Sequence, residues 1–302
     1  MKLSTSTNIM ISDRGKPYQI PIDVSVRACA DAGYTEVDAN LCGFCRPGQP
    51  LALDGWEKWA HDTRNLADQL GVSFSQSHAY WTINGSFPVG GVKPDGEWGE
   101  ELMRRSVIAA QILGTKWMVV HPITVRHQRW YDYKASFAYN REYYERWGEF
   151  YSAHGVGMAI ENMNSATTYC SCAEELIELI EAIDNPMVEA CIDTGHAHMV
   201  GIDVPGMIRQ VGSHLKATHI SDNHQNKDEH FAPFNGTIDW LEVMTALREI
   251  NYQECFAYEI HNLTGMYPKE VQPALVKFSY ELGNYLLNLQ AESITSKNSP
   301  EN

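Results

Sequence analysis

The chain of 302 residues is 44% hydrophobic and 20% charged, proportions typical of a soluble globular protein that buries a large core. Its formal net charge of -15 disfavours nucleic acid as a partner, because an acidic surface repels phosphate backbones. The sequence has no run of about 18 apolar residues, so no membrane span is predicted. The N-terminus lacks the apolar core of a signal peptide, and seven scattered cysteines are typical of reduced thiols, so we expect a cytoplasmic protein.

In chain order, eight short apolar runs that end in polar residues alternate with eight stretches of helical spacing. The predicted strands are 2–9, 34–39, 71–78, 115–121, 155–162, 188–194, 215–221 and 254–260. The predicted helices are 22–32, 54–70, 97–113, 135–153, 173–183, 204–211, 238–250 and 269–289. Strict alternation of this kind requires parallel strands joined by right-handed crossovers.

Glycine follows the predicted helical turn in "ADAGYTEV", "ADQLGVSF", "AQILGTKW" and "YSAHGVGM", as expected of helix C-terminal caps. Eight strand–helix units fit a single α/β domain, a (β/α)8 TIM barrel, over residues 1–290. A doubly wound open sheet is the alternative, but no G-x-G-x-x-G fingerprint follows the first strand. The polar residues 291–302 are predicted to form a flexible tail.

Carboxylate and imidazole side chains follow the predicted strands, at the end of a barrel where active sites lie. Nine such groups are expected on one rim: His78, His121, Glu161, Asp193, His196, His219, Asp228, His230 and Glu259. A single histidine at a strand end is more often a hydrogen-bonded structural residue than a ligand. Several carboxylates crowded together repel one another, however, and a shared divalent cation relieves that repulsion. The combination therefore predicts a metal site.

The motifs "AIEN", "CIDTGH", "THISDN" and "AYEI", at four consecutive strand ends, resemble those of the xylose isomerase-like TIM barrel superfamily. The resemblance spans nearly the whole chain. That superfamily includes tagatose 3-epimerase, hydroxypyruvate isomerase, inosose dehydratase and nucleases of the endonuclease IV type. The motif set is specific for the superfamily and much less specific for one reaction.

The resemblance to the isomerases and epimerases implies one metal ion with Glu161, Asp193, His219 and Glu259 as ligands. It also implies that His196 of the "DTGH" motif contacts the substrate. The nuclease pattern uses the same four ligands and implies further zinc ligands, for three ions in all, at His78, His121, His196, Asp228 and His230. A second glutamate that epimerases often carry after the fifth strand is absent from "ENMNSATT", which puts the identity of the substrate in doubt.

Three carboxylates and one imidazole favour a hard divalent metal ion, namely Mn, Co or Mg, with Zn also compatible. Such an ion stabilises the enediolate that forms when a proton is lost next to a carbonyl. Glu161 and Glu259 come from different strands, so we expect one to remove this proton and the other to return it. The sequence thus predicts an isomerase or epimerase of carbohydrate metabolism.

Two long loops follow the third and fourth strands and are expected to act as lids over the barrel mouth. Trp81 and Trp130 are candidate contacts for a sugar ring, and Arg126 for an anionic group, although each is equally compatible with simple loop packing. The "CGFC" segment, Cys42 to Cys45, has no second cysteine pair at zinc-finger spacing and is interpreted as incidental loop cysteines.

Three functions stay open at this point. The first is an isomerase or epimerase of a small sugar or polyol, with a keto-sugar or inosose dehydratase (a lyase) as its near relative. The second is a trinuclear zinc phosphodiesterase, and the third is a barrel that binds metal and ligand without turnover. The acidic composition favours sugar chemistry. The resemblance further implies a homodimer or homotetramer.

Overall fold

The computed structural model describes residues 1–10, 20–81, 86–88 (backbone only), 96–127, 130–265 and 267–290. Within these ranges, eight strands and eight long helices alternate along the chain. The strands are β1 (Lys2–Thr5), β2 (Glu36–Asn40), β3 (Ser73–His78), β4 (Trp117–Val120), β5 (Gly157–Glu161), β6 (Val188–Asp193), β7 (Leu215–His219) and β8 (Cys255–Tyr258). The helices are α1 (Ile22–Ala32), α2 (Trp56–Leu70), α3 (Gly96–Leu113), α4 (Tyr133–Ala153), α5 (Ala173–Ile183), α6 (Val204–Val211), α7 (Trp240–Glu249) and α8 (Gln272–Asn288).

The strands form a closed parallel barrel. Strands β2 to β7 pair in sequence order, and β1 pairs with β8. Isolated parallel bridges between Ser6 and Asp38, and between Ile220 and Tyr258, join these two sheets at both seams. The predicted (β/α)8 fold is therefore confirmed, and the carboxyl ends of all eight strands meet at one rim.

Burial explains why these segments form strands and helices. All four residues of β4 are buried, as expected of a parallel strand that is covered on both faces. In α5, Leu176, Leu179, Ile180 and Ile183 are spaced three or four residues apart and form the buried stripe that packs on the barrel. The predicted glycine caps are also observed: Gly33, Gly71, Gly114 and Gly155 all have positive φ angles, which suit glycine best.

The structure corrects several predicted boundaries. Strand β1 ends at Thr5, where the prediction continued to residue 9, because Thr7–Ile9 forms a short 3-10 helix. The two predicted lid loops contribute a small outer sheet made of Ser86–Pro88, Thr124–His127 and Trp130–Tyr131. Its first two strands are parallel and its last two antiparallel. The predicted tail, residues 291–302, lies outside the described residues.

None of the described helices has both the length and the apolar composition that crossing a membrane would require.

Candidate metal centre

Four predicted ligands converge at the rim of the barrel. Glu161, Asp193 and His219 are the last residues of β5, β6 and β7, and Glu259 follows β8 directly. All four are buried, and one ligand atom from each lies within 4.8 Å of those from the other three. The spacing results from the topology, because neighbouring parallel strands deliver their terminal side chains to the same edge.

The side chains in this group change one another's pKa values. His219 Nδ1 lies 2.8 Å from Glu161 Oε1 and 3.4 Å from Glu259 Oε2. Burial raises the pKa of Glu259 to about 7, and the carboxylates of Glu161 and Asp193 add to the rise. Burial also opposes ionisation of Glu161, but the nearby imidazoles of His219 and His121 outweigh it and hold the pKa of Glu161 well below its ordinary value. The two glutamates therefore differ in their affinity for a proton.

The unsatisfied oxygens of this site suit a cation. Asp193 Oδ2 is buried and accepts no hydrogen bond. Glu161 Oε2 and Asp228 Oδ1 likewise accept none of acceptable geometry, although imidazole nitrogens lie 2.9 and 3.2 Å away. Donor atoms crowded in this way could hold a shared cation, and carboxylate oxygens are the ligands that hard divalent metals prefer.

The other five predicted ligands form two further groups beside the first. His78 and His121 surround Glu161, with their Nε2 atoms 3.0 Å apart. In the third group, Asp228 lies 3.3 Å from His196 Nε2 and 3.2 Å from His230 Nε2. The structure thus brings all nine predicted residues together, in three groups that each offer three or four ligand atoms.

Backbone carbonyls orient three of these histidines. In each, Nδ1 lies 2.9 Å from a carbonyl oxygen, so Nδ1 carries the hydrogen and Nε2 is directed into the metal group. The pairs are His78 with Ala79, His196 with Asn162, and His230 with Glu259. In each ring, Nε2 is therefore the nitrogen that can bind a metal ion once it has lost its hydrogen.

Local structure explains the "DTGH" segment. Asp193 caps the short helix Thr194–Met199 and accepts a hydrogen bond of 2.8 Å from the His196 backbone N–H. The side-chain amide of Asn162 bonds both the N–H and the carbonyl of Asp193, at 2.7 and 3.1 Å. Gly195 is required by space, because a Cβ there would lie 2.3 Å from Ser221 Oγ. The turn therefore holds Asp193 and His196 on the same side of the rim.

Asp222 organises the loop that carries Asp228 and His230. Its buried carboxylate accepts hydrogen bonds from Trp240 Nε1 at 2.9 Å and from the backbone N–H groups of Phe234 and Ile238 at 3.0 and 3.2 Å. These hydrogen bonds anchor the loop between β7 and α7 next to the candidate metal ligands.

The predicted substrate contacts occupy different positions. The ring of Trp81 lies 5.3 Å from that of His121, at the edge of the site. Trp130 is 72% exposed, and Arg126 is half-buried in the outer sheet, in register with Tyr131. A role in substrate binding stays a prediction for all three and for His196.

The structure also adds residues that the sequence analysis missed. His261 lies with its ring 4.2 Å from that of His230, and its Nε2 is 3.8 Å from Glu259 Oε1. Asp38, inside the barrel, lies 3.4 Å from His219 Nε2. The position of His261 two residues after Glu259 was a usable signal, whereas Asp38 lies within a strand and offered none. Cys42 donates a hydrogen bond to Asn40, and its thiol is free like those of the other six cysteines.

Comparison with known proteins gives one family and several relatives. The sequence pattern of the xylose isomerase-like TIM barrel family matches residues 26–281. A D-psicose 3-epimerase of Enterocloster bolteae is 31% identical over 98 residues, 32% of this chain and 31% of that protein. A probable endonuclease 4 of Mesomycoplasma hyopneumoniae is 22% identical over 194 residues, 60% of this chain and 65% of that protein. Both matches cover less than two thirds of the relative's length.

Solved structures of other proteins share this fold. The D-psicose 3-epimerase of Clostridium cellulolyticum H10, crystallised with D-tagatose, superposes with a TM-score of 0.75 at 15% sequence identity. The superposition covers 95% of this chain and 99% of the epimerase. An L-ribulose 3-epimerase has the same fold, with a TM-score of 0.73 at 16% identity. These relatives are enzymes, in agreement with the prediction of an enzyme of the isomerase and epimerase class.

Proposed function

This chain belongs to the xylose isomerase-like TIM barrel family, and from that premise we propose that it is a divalent-metal-dependent isomerase or epimerase of a small sugar or polyol. One observation carries the proposal: Glu161, Asp193, His219 and Glu259 present four buried ligand atoms within 4.8 Å of one another at the catalytic rim of the barrel. A divalent ion bound there would polarise a substrate carbonyl and stabilise negative charge that develops beside it.

The two glutamates suit opposite halves of a proton exchange. Neighbouring imidazoles keep Glu161 ionised, so it is the better base for the carbon next to the carbonyl. Burial raises the pKa of Glu259 to about 7, so near neutral pH this residue is equally ready to give or take a proton. The two approach His219 Nδ1 from different strands, at 2.8 and 3.4 Å. Removal of a proton by one and its return by the other would invert the carbon.

The charge of the chain and its relatives support a small polyhydroxy substrate. The curated relatives include D-psicose 3-epimerases, and the solved relatives include epimerases of psicose and ribulose. The aromatic face of Trp81, next to His121, is suited to pack against a sugar ring and to exclude water. His196 has its Nε2 directed toward the same site and is suited to bind a substrate hydroxyl.

A trinuclear zinc phosphodiesterase is the second candidate, and one observation favours it. All nine ligand positions of that pattern are present and gathered into three groups, with Glu161 common to two of them. A match to a probable endonuclease 4 points the same way. Against it stands the formal net charge of -15, because an enzyme that acts on a polyanion needs a cationic surface to dock it.

Metal content and hydrogen exchange together test the proposal. The purified protein is loaded with Mn²⁺, Co²⁺ or Zn²⁺, and its ion content per chain is measured after removal of excess metal. Ketohexoses and ketopentoses are then incubated in deuterated water, and label at the carbon next to the carbonyl is followed by NMR. We expect one ion per chain and metal-dependent label incorporation that is lost in Glu161→Gln and Glu259→Gln. Three zinc ions per chain with hydrolysis of bis(4-nitrophenyl) phosphate would support the second candidate instead.

A further inference from the structure

We propose that Asp38 is a positioning residue that fixes the tautomer of His219, so that Nδ1 of this ring is free to bind the metal ion. The inference rests on the proposed function in taking the Glu161, Asp193, His219 and Glu259 group to be a metal centre. It goes further in assigning a task to a carboxylate inside the barrel, away from the rim.

The burial of the Asp38 carboxylate is energetically unfavourable. It lies in the middle of β2 and is 1% exposed, and no Lys or Arg in the described part of the chain forms an ion pair with it. Its oxygen Oδ1 accepts no hydrogen bond, while Oδ2 accepts one from Gln76 Nε2 at 2.6 Å. A carboxylate that is buried without a cation destabilises a fold unless another group compensates it.

The compensating group is the ring of His219. Its Nε2 lies 3.4 Å from Asp38 Oδ2, and its Nδ1 lies on the opposite side, 2.8 Å from Glu161 Oε1. A neutral imidazole has one N–H and one lone pair, so only one of these nitrogens can donate. In the metal-free fold, Nδ1 donates to Glu161 Oε1. When a metal ion displaces that hydrogen, the N–H that stays on Nε2 faces Asp38, and the Nδ1 lone pair faces the ion.

Gln76 holds Asp38 in place relative to His219. Its Nε2 also lies 3.1 Å from the carbonyl oxygen of Thr218, and its Oε1 lies 3.3 Å from the Thr218 N–H. The side chain therefore connects the Asp38 carboxylate in β2 to the backbone of the residue that precedes His219 in β7. This arrangement restricts the distance between the carboxylate and the ring.

His219 differs from the other histidines of the site. His78, His196 and His230 use a backbone carbonyl to hold Nδ1–H and direct Nε2 into the site. In His219 the two nitrogens exchange these positions. Nδ1 faces the metal ligands, and Nε2 faces the negatively charged side chain of Asp38. A carboxylate in that position both orients the ring and increases the basicity of the ligand nitrogen. Unlike a backbone carbonyl, this acceptor can be removed by substitution.

The test measures tautomer and metal affinity rather than activity alone. Long-range ¹H–¹⁵N spectra of the Zn²⁺-loaded protein report which nitrogen of His219 carries the hydrogen, with the signal assigned through His219→Gln. Titration with Mn²⁺ or Co²⁺ gives the dissociation constant. We expect an Nε2–H ring in the parent protein, a mixed or reversed tautomer in Asp38→Asn, and metal binding about 10- to 100-fold weaker in that variant.

Glu189→Gln is the matched control. Glu189 lies near the start of β6, at the far end of that strand from Asp193, and pairs with His214 Nδ1 at 2.8 Å. It is a carboxylate–imidazole pair outside the metal groups, so we expect this variant to leave metal affinity and the His219 signal unchanged. A second variant, Gln76→Met, keeps the Asp38 charge but removes its orientation, and we expect a smaller loss of affinity.

The outcomes separate the two proposals. If the parent protein binds no divalent metal, the proposed function fails, and the role of Asp38 toward that ion fails with it. If the parent binds metal and Asp38→Asn retains both the Nε2–H tautomer and the parent affinity, the role of Asp38 is overturned. Weaker binding that Glu189→Gln reproduces would also overturn it, because the effect would then reflect general destabilisation.

Discussion

The Nε2 atoms of His78 and His121 lie 3.0 Å apart, and the carboxylate of Glu161 lies against both of them. Because His78 donates Nδ1–H to the carbonyl of Ala79, its Nε2 is the nitrogen that faces His121. Two imidazoles and a carboxylate arranged in this way can share either a proton or a metal ion. The choice between them separates the two functions considered for this chain.

Removal of His121 distinguishes these alternatives. If one ion is bound by the four-ligand group, His121→Ala leaves one ion per chain and changes its affinity by less than about tenfold, whereas Asp193→Asn lowers it by about 100-fold or more. Ion content measured by atomic emission after gel filtration checks this. A fall from three ions to two in His121→Ala would contradict the single-ion site.

Metal affinity should depend on pH through Glu259. Burial raises its pKa from 4.5 to about 7 in the metal-free fold, so a proton must leave before the carboxylate can bind an ion. We expect the affinity to fall by about tenfold per pH unit or more below pH 7, because His219, whose pKa Glu259 and Glu161 raise in spite of its burial, must also release a proton. Isothermal titration from pH 5.5 to 8 measures this, and Glu259→Gln should bind more weakly with a flatter profile. An equally steep profile in the variant would exclude Glu259 as the titrating group.

The same pKa predicts how stability varies in the absence of metal. The folded-state pKa of Glu259 is raised, so its proton-linked stabilisation is complete below about pH 4.5 and is lost as the pH rises through 7. The direction reverses when metal is present, because the ion prefers the ionised carboxylate. Between pH 6 and 8, this group should therefore lower the unfolding temperature of the metal-free protein and raise that of the metal-loaded protein. Thermal unfolding of both forms at the two pH values measures the difference.

Asp222→Ala should destabilise the fold and loosen the loop that holds Asp228 and His230. The substitution leaves the indole N–H of Trp240 and three backbone N–H groups without this acceptor, at a cost of about 2–4 kcal/mol in the free energy of unfolding. Asp62→Ala is the control, because its exposed ion pair with Lys58 contributes less than about 1 kcal/mol. Urea unfolding measures both, and equal midpoints would refute the role of Asp222.

Gly195→Ala should weaken metal binding through a single steric contact. The added Cβ would lie 2.3 Å from Ser221 Oγ and 3.2 Å from Asp193 Oδ1. Relief of this contact moves Asp193, so we expect metal binding about tenfold weaker. The double variant Gly195→Ala with Ser221→Ala removes the closest clash and should recover most of the affinity. Failure of the second substitution to restore binding would show that Gly195 is needed for another reason.

The nine rim residues could be predicted because they obey a rule that the sequence displays. Each lies at the end of an apolar run or in the loop that follows it, and parallel topology sends every such position to the same end of the barrel. Glu161, Asp193 and His219 end their strands as expected, and Glu259 follows the last strand directly. Alternating strands and helices, with glycine at the helix ends, were therefore sufficient to place the candidate site.

Features that depend on pairings between distant segments were not predictable in the same way. The outer sheet pairs Ser86–Pro88 with Thr124–His127, and neither segment shows a hydrophobic pattern long enough to identify a strand. Asp38 lies inside β2, where sequence alone gives no reason to expect a carboxylate to meet His219. Such contacts follow from barrel closure, which here brings together Asp38 and His219, 181 positions apart in the sequence.

Glu161 is common to the His78–His121 group and to the four-ligand group, so these two positions cannot fill independently. An ion at either one alters the charge and orientation of a carboxylate that the other also needs. By thermodynamic linkage, the effect of the first ion on the affinity of the second equals the effect of the second on the first. Any second cation that binds beside His78 and His121 will therefore weaken or strengthen binding of the ion in the four-ligand group, and mixed-metal titrations will show an equal effect in the other direction.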